Sequence, residues 1–201
     1  MSVPSETDGE QDVRDLTYFI GTSIDGFIAD DDGRFDFFPF EEDVAAAIVA
    51  DHPETLPVHA RRALGIEDVP NEVFDAVVMG RATYEPALQA GLTSPYPHLR
   101  QVVFSRTLEQ GDPEVEIVSG DPVAHVRALK REDGLGVWLC GGAELAGQLV
   151  DEIDRLVVKR YPIILGAGIP MFRGPFALRE LALNGTRTFE SGATFSTYAR
   201  R

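Results

Sequence analysis

Apolar residues fall in short blocks along this chain, and the blocks alternate between a strand-like and a helix-like period. The stretch "LTYFIGTSIDGFIAD" reads as a strand over residues 16–22, a turn at Asp25 and Gly26, and a short extended piece through Phe27 and Ile28. Residues 30–71 are acidic and then helical, in "EEDVAAAIVA" and "PETLPVHARRALG", with Gly65 placed to end the second helix. This long insertion reads equally as a pocket wall or lid and as a pair of amphipathic surface helices.

From Phe74 onward the alternation is regular. "FDAVVMG", "QVVFS", "VEIVS" and "GVWLC" are apolar runs of buried-strand length, and "RATYEPALQAG", "DPVAHVRALKRED" and "GGAELAGQLVDE" have helical character. Asp121 and Pro122 stand as N-cap and first residue of one of these helices. "IDRLVVKRYPIIL" predicts a long alternating strand over residues 153–165. Its apolar end around Pro162 suits a buried edge at an interface or a covered edge within the molecule. "TRTFE" and "ATFSTYAR" predict a closing antiparallel pair around Ser191 and Gly192. Strands alternating with helices require right-handed parallel crossovers, so the pattern predicts an α/β fold with a C-terminal hairpin. Residues 1–14 lack apolar period and read as a disordered tail. No linker or repeat divides residues 15–201, which predicts one domain.

Composition narrows the partners. At 201 residues and 44% hydrophobic content, the chain can bury one sizeable core. A net charge of -15 argues against nucleic acid, because nothing offsets repulsion from a phosphate backbone, yet a small anionic ligand needs only a few local cations. Of 18 basic residues only Lys130 and Lys159 are lysines. The arginine bias suits bidentate contacts to phosphate, and a skewed genomic base composition explains it equally well. The lone Cys140 excludes an internal disulfide and a multi-cysteine metal site, and the four histidines show no metal-ligand spacing, so no metal is expected. No apolar run approaches the ~20 residues of a membrane helix, and the acidic N-terminus is unlike a signal peptide. A soluble, cytoplasmic protein without membrane partners is the expectation.

Chemistry is expected where strands end and helices begin, because free backbone N–H groups and the helix dipole favour anions there. At "VVMGRATYE", Gly80 lets the backbone approach a ligand, Arg81 offers a fork of donors, and Thr83 can give a hydroxyl or cap the helix. At "WLCGGAEL", Gly141 and Gly142 open a helix with no Cβ in the way. Ser105 and Arg106 end the intervening strand. If that strand neighbours the first, they join Arg81 around one phosphate; otherwise Arg106 is a surface arginine. "GAGIPMF" fails as a dinucleotide fingerprint, since Pro170 stands where a helix should open. Asp25 either makes a local bond in its turn or presents a carboxylate at a pocket mouth.

Taken in order, "SIDGFIA", "VVMGRATYE", "VVFSRTL", "VWLCGGAELAGQLVDEIDRLVV" and "YPIILGAGIPMF" resemble the dihydrofolate reductase superfold, and more closely the reductase domain of the bifunctional deaminase/reductase of riboflavin biosynthesis. The resemblance implies a three-layer fold with a mixed, mostly parallel sheet of about eight strands and helices on both faces. It also implies a homodimer and NADPH as hydride donor to a small heterocycle or carbonyl substrate. By position, Gly80, Arg81 and Thr83 match a first phosphate-binding turn, and Ser105 and Arg106 the residues at the adenosine 2′-phosphate. Gly141 and Gly142, with Ala143, Glu144 and Leu145, match the turn facing the pyrophosphate. Ser23, Asp25 and Gly26 match the segment beside nicotinamide and substrate, where Asp25 would orient substrate or relay a proton. The chain departs from the riboflavin-pathway pattern at Cys140, where a glutamate is usual, and it has no deaminase domain. Reduction of dihydrofolate or another carbonyl or imine, and NADPH binding without catalysis, therefore stand beside reduction of the ribosylaminopyrimidine.

Overall fold

Residues 13–109 and 111–201 are described by a computed structural model of the chain. The expected disordered tail thus lies almost wholly outside the described residues. Its last member, Arg14, belongs to the fold: it is buried, pairs with Asp75, and its backbone N–H donates to the Lys130 carbonyl at 3.0 Å.

Eight strands form one sheet in the order β5-β4-β3-β6-β1-β7-β10-β9. They are β1 (Leu16–Thr22), β3 (Phe74–Gly80), β4 (Arg100–Phe104), β5 (Val115–Val118), β6 (Gly136–Gly141), β7 (Arg155–Arg160), β9 (Leu181–Thr188) and β10 (Thr194–Arg200). Neighbours from β5 to β7 run parallel, while β10 is antiparallel to both β7 and β9. The short β2 (Phe27–Ala29) and β8 (Ile169–Pro170) form a separate pair. The α/β sheet with its C-terminal hairpin is what the sequence pattern predicts, and its eight mostly parallel strands are what the resemblance implies.

Alternation sends the strand side chains to two layers. One layer holds Phe19, Val77, Met79, Val103, Trp138 and Val157 under α1 (Glu42–Asp51), α2 (Val58–Leu64) and α3 (Arg81–Gln89). The other holds Leu16, Tyr18, Val78, Val102 and Leu139 under α4 (Pro122–Lys130) and α5 (Ala143–Gln148). Each fully buried aliphatic side chain contributes about 1.5–3 kcal/mol, so both faces need cover.

The acidic insertion is a fixed wall. Helix α1 buries Val44, Ala47 and Ile48. Buried Arg61 donates to the carbonyls of Pro53 at 2.8 Å and Val69 at 2.7 Å, and buried Glu54 accepts from the Val73 N–H at 2.7 Å. Gly65 ends α2 in the left-handed region at φ 67°, and Asp121 caps α4 through the Val123 N–H at 3.0 Å.

Two expected boundaries move. The long strand predicted over residues 153–165 is β7 alone, because Pro162 has no N–H to continue a ladder. Residues 161–168 instead turn toward the β1–β2 connection, where the Ile24 N–H donates to the Ile163 carbonyl at 2.8 Å. β7 is flanked by β1 and β10, so neither edge reading of it holds; the edge strands are β5 and β9. β9 in turn starts at Leu181, well before the predicted "TRTFE", and seven of its eight residues are exposed.

Candidate functional site

Connections leave β3 and β6 in opposite directions: β3 leads through α3 to β4 on one side, and β6 through α5 to β7 on the other. The two strands are neighbours, and their helices cover opposite faces of the sheet. A crevice therefore opens between the ends of β3 and β6, the place where open α/β sheets collect ligands.

Gly80 and the Gly141–Gly142 pair face each other across that crevice. A Cβ built on Gly80 would stand 3.8 Å from the Gly141 carbonyl oxygen and the Gly142 nitrogen. Thr83, expected as a possible helix cap, makes no cap bond; Gly80 itself is the N-cap residue of α3. Thr83 Oγ1 instead lies where Cβ atoms on the glycine pair would reach, at 3.2 Å from Gly142 and 3.6 Å from Gly141. Side chains on the pair would fill this cradle. The Gly141–Gly142 peptide is cis.

Beyond the glycines, α5 begins at Ala143. Its first backbone bond runs from the Ala146 N–H to the Gly142 carbonyl at 2.9 Å, so the N–H groups of Ala143, Glu144 and Leu145 have no acceptor within the helix. The Glu144 carboxylate pairs with Arg173 at 3.1 Å, which offsets its charge beside these donors.

On the other flank, β4 pairs with β3 in parallel register from Arg100 to Phe104, which brings Ser105 and Arg106 beside Arg81 as the sequence condition required. The Arg81 guanidinium reaches across the gap to Thr107 Oγ1 and pairs loosely with Glu85 at 3.3 Å. Ser105 Oγ accepts from the N–H groups of Thr107 at 3.2 Å and Leu108 at 2.9 Å, which holds the turn and leaves the hydroxyl proton free to donate. Arg106 is exposed and, among the described residues, makes no ion pair or hydrogen bond. In a chain whose acids outnumber its bases, a guanidinium without a partner among the described residues is available to an anion.

Ser23 and Asp25 lie past the end of β1. Ser23 is buried, and its Oγ accepts from the Phe27 N–H at 3.0 Å, closing the turn. Asp25 is exposed and accepts from the N–H groups of Leu165 at 3.2 Å and Gly166 at 2.7 Å. A hydrogen bond from Ser23, with those from Gly166 and Leu165, holds its carboxyl below the usual carboxylate range. An acid so held stays ionised at neutral pH, a state fit for anchoring the 161–168 loop and orienting a ligand and a poor one for donating a proton.

A polar cluster that the sequence reading missed lies beside Cys140. Lys159, half-buried on β7, sets its Nζ 4.1 Å from the centroid of the Phe19 ring. His52 packs on the same ring at 4.7 Å, and its Nδ1 is buried without a partner. Burial lowers the Lys159 ammonium to about 8, with Cys140 acting in the opposite direction, and burial raises the Cys140 thiol to about 12. The available signal was a single lysine in an apolar run, "LVVKRY". Among the described residues no group of three or more acidic, histidine or cysteine side chains could hold a metal, and no helix is long and apolar enough to cross a membrane.

Comparison with known proteins extends the geometry. The RibD C-terminal domain family matches residues 14–195. Two uncharacterized proteins of Bacillus subtilis (strain 168) are similar along nearly their whole length. YwjB is 29% identical over 88% of this chain and 92% of its own, and YyaP is 24% identical over 89% and 91%. Among solved structures, a Shewanella sp. PV-4 protein assigned to riboflavin biosynthesis superposes with a TM-score of 0.67 at 26% identity, covering 93% of this chain and 99% of that one. The Thermotoga maritima diaminohydroxyphosphoribosylaminopyrimidine deaminase/5-amino-6-(5-phosphoribosylamino)uracil reductase superposes at 0.63 and 16% identity; 94% of this chain is covered but only 57% of that one. Enterococcus faecalis dihydrofolate reductase, in complex with NADP(H), superposes at 0.60 and 15% identity over 93% and 96%. These last two likenesses establish the fold.

Proposed function

Since the chain belongs to the RibD C-terminal domain family, we propose that it is an NADPH-dependent reductase acting on a small heterocycle or another carbonyl or imine compound. The observation that carries this reading is the β3–β4 register that sets Arg106, exposed and unengaged among the described residues, next to Arg81 and the glycine-lined crevice at the β3–β6 switch. A dinucleotide carrying an extra phosphate needs two such features side by side, a cation fork for the phosphomonoester and a Cβ-free helix start for the pyrophosphate.

The residues divide the work. Arg81, Ser105 and Arg106 would hold the 2′-phosphate, and Gly80, Thr83, Gly141, Gly142 and the first-turn amides of Ala143, Glu144 and Leu145 would cradle the pyrophosphate. Ser23 closes the turn that presents Asp25, and the ionised Asp25 fixes the facing loop. The bound nicotinamide would supply a hydride, and positioning supplies most of the acceleration in such a transfer. Cys140, where the resemblance leads one to expect a glutamate, argues for a substrate other than the ribosylaminopyrimidine.

A homodimer belongs to the same reading. Exposed β9, with Leu183 at 59% and the preceding Phe176 at 99% and Leu178 at 81% exposure, is a free apolar edge that a second copy would cover. Sedimentation equilibrium should give twice the chain mass; a monomer at micromolar concentration would remove the dimer from the reading.

The test of the function is a thermal-shift titration with NADPH and with NADH. Saturable stabilisation by NADPH and little by NADH is expected. If neither nucleotide moves the transition, the reductase reading fails.

A further inference from the structure

Lys159 Nζ and His52 Nδ1, neither hydrogen-bonded among the described residues, converge on one aromatic ring. The Lys159 Nζ stands on the Phe19 ring at 4.1 Å, and the imidazole of His52 packs on it at 4.7 Å, with Nδ1 buried and unpaired. They come from separate elements, strand β7 and the end of α1. In an acidic chain, Lys159 makes no ion pair among the described residues, whereas the only other lysine, Lys130, is bound to Asp154 at 2.5 Å. A lysine half-buried without a counter-charge is costly unless some ligand supplies one.

The position joins this cluster to the crevice. Lys159 lies level with Gly21 of β1, and the Tyr161 ring packs where a side chain on Gly21 would stand. The β1–β6 register pairs Tyr18 with Leu139, and its next step sets Phe19 beside Cys140, the residue before Gly141. Cys140 is also within hydrogen-bonding reach of the Tyr96 hydroxyl. The groups around the ring are thus donors: an ammonium, a thiol and a phenol, with a neutral imidazole. Burial keeps the imidazole neutral by lowering its pKa, against the pull of Glu54 and Asp51. One oxygen of the nearby Glu54 carboxylate accepts from the N–H groups of Glu72 and Val73, and the other is buried without a partner.

We infer that Lys159 is the substrate-anchoring cation of this chain and selects a planar, oxygen-rich, anionic ligand, such as a carboxylated or enolic heterocycle, over an amino-substituted neutral one. An aminopyrimidine presents N–H donors and calls for an acceptor, which Cys140 as a thiol supplies poorly. An anionic oxygen meets three ammonium N–H donors, close to the partly buried Phe38 that packs with Phe19 and Tyr161 in one apolar layer. The inference rests on the crevice being the nucleotide site, since that places the cluster at the reacting end.

The test uses the matched pair orotate and uracil, which differ by one carboxylate, in calorimetric titrations of the full chain with and without NADPH. Orotate should bind the wild type at least tenfold more tightly than uracil does. Lys159→Met should abolish that preference while leaving NADPH-dependent stabilisation intact, and Lys159→Arg should restore part of it. Equal affinity of the two probes for the wild type overturns the inference, as does orotate binding that Lys159→Met leaves unchanged, or no orotate binding by a chain that NADPH stabilises. Lysine-dependent orotate binding without any response to NADPH would keep the anchor and discard the reductase reading. The wild-type comparison decides the matter even where the methionine variant fails to fold.

Discussion

The carboxylate of Asp25 receives the backbone N–H of Gly166 at 2.7 Å, and so ties the turn after β1 to the loop after β7 across 141 residues of sequence. With the Leu165 N–H at 3.2 Å, the carboxylate holds two amides of a loop that β7 does not extend into. Its lowered pKa sets the sign of the pH effect. The tie is fully present above the ordinary aspartate value of about 4 and is lost as pH falls through the lower folded-state value. Amide exchange at Leu165 and Gly166 should accelerate in Asp25→Asn at pH 7, and in the wild type only under acid. Unchanged exchange in the variant would show that the loop is held by its other contacts.

Arg106 and Arg81 should separate the two nicotinamide nucleotides. Replacing Arg106 with alanine would remove one guanidinium from the phosphomonoester and breaks no contact among the described residues, so stability should stay within about 0.5 kcal/mol. A charge-assisted hydrogen bond contributes about 1.5–3 kcal/mol, which predicts a tenfold or greater loss of NADPH affinity and little change for NADH. Arg81→Ala should do the same and also free Thr107. Titration calorimetry at low and moderate salt reads both effects; equal losses for the two nucleotides would move the 2′-phosphate elsewhere.

Gly147 is a steric requirement of α5. A Cβ there would collide with the Arg173 carbonyl oxygen, and the neighbouring Arg173 N–H donates to the Ala143 carbonyl at 3.0 Å. Gly147→Ala must push the 171–174 segment off the helix, which should cost on the order of 3 kcal/mol despite alanine's better helix propensity. Urea unfolding measures the loss. Because the same contact steadies the start of α5, NADPH affinity should fall with it.

The lone thiol should be inert. Burial raises Cys140 to about 12, so at pH 8 it is almost wholly protonated, and the thiolate is the reactive form. Labelling by a disulfide reagent should be slow in the native chain and fast in denaturant. Rapid native labelling would mean that the wall formed by residues 30–71 opens readily.

The strands were legible because their side chains alternate between two buried layers, and an apolar run such as "FDAVVMG" has few other solutions. The parallel order followed from helices intervening between strands. What the pattern could not carry were ends and partners. Pro162 closed β7 early, a consequence that its apolar neighbours obscured, and β9 was underestimated because its exposed residues show no burial pattern. The crevice glycines and arginines were readable as motifs, but Thr83 was assigned a cap because its contact with Gly142 depends on β3 and β6 being neighbours. Lys159 was passed over for the same reason, since its meaning comes from Phe19, Cys140 and His52, which meet it only in the fold.

Lys159 also makes a prediction about stability that is independent of any ligand. Its ammonium is lowered from an ordinary 10.5 to about 8 by burial, so the folded state holds the proton less tightly than the unfolded chain does. Below about pH 8 both states are protonated and the fold bears the whole penalty. Between about pH 8 and 10.5 the folded chain loses the proton first and the penalty fades; above that window it is gone. Methionine keeps the unbranched stem against Phe19 and removes the charge. Lys159→Met should therefore be more stable than the wild type at pH 7, by on the order of 2–3 kcal/mol, and the two unfolding curves should converge as pH rises to about 10.5. Cys140 and the buried tyrosines lower stability in the same window, but they do so in both proteins, so the difference isolates the lysine. A variant with no advantage at pH 7 would mean that water already solvates the ammonium, and the case for a ligand counter-charge would lose its energetic basis.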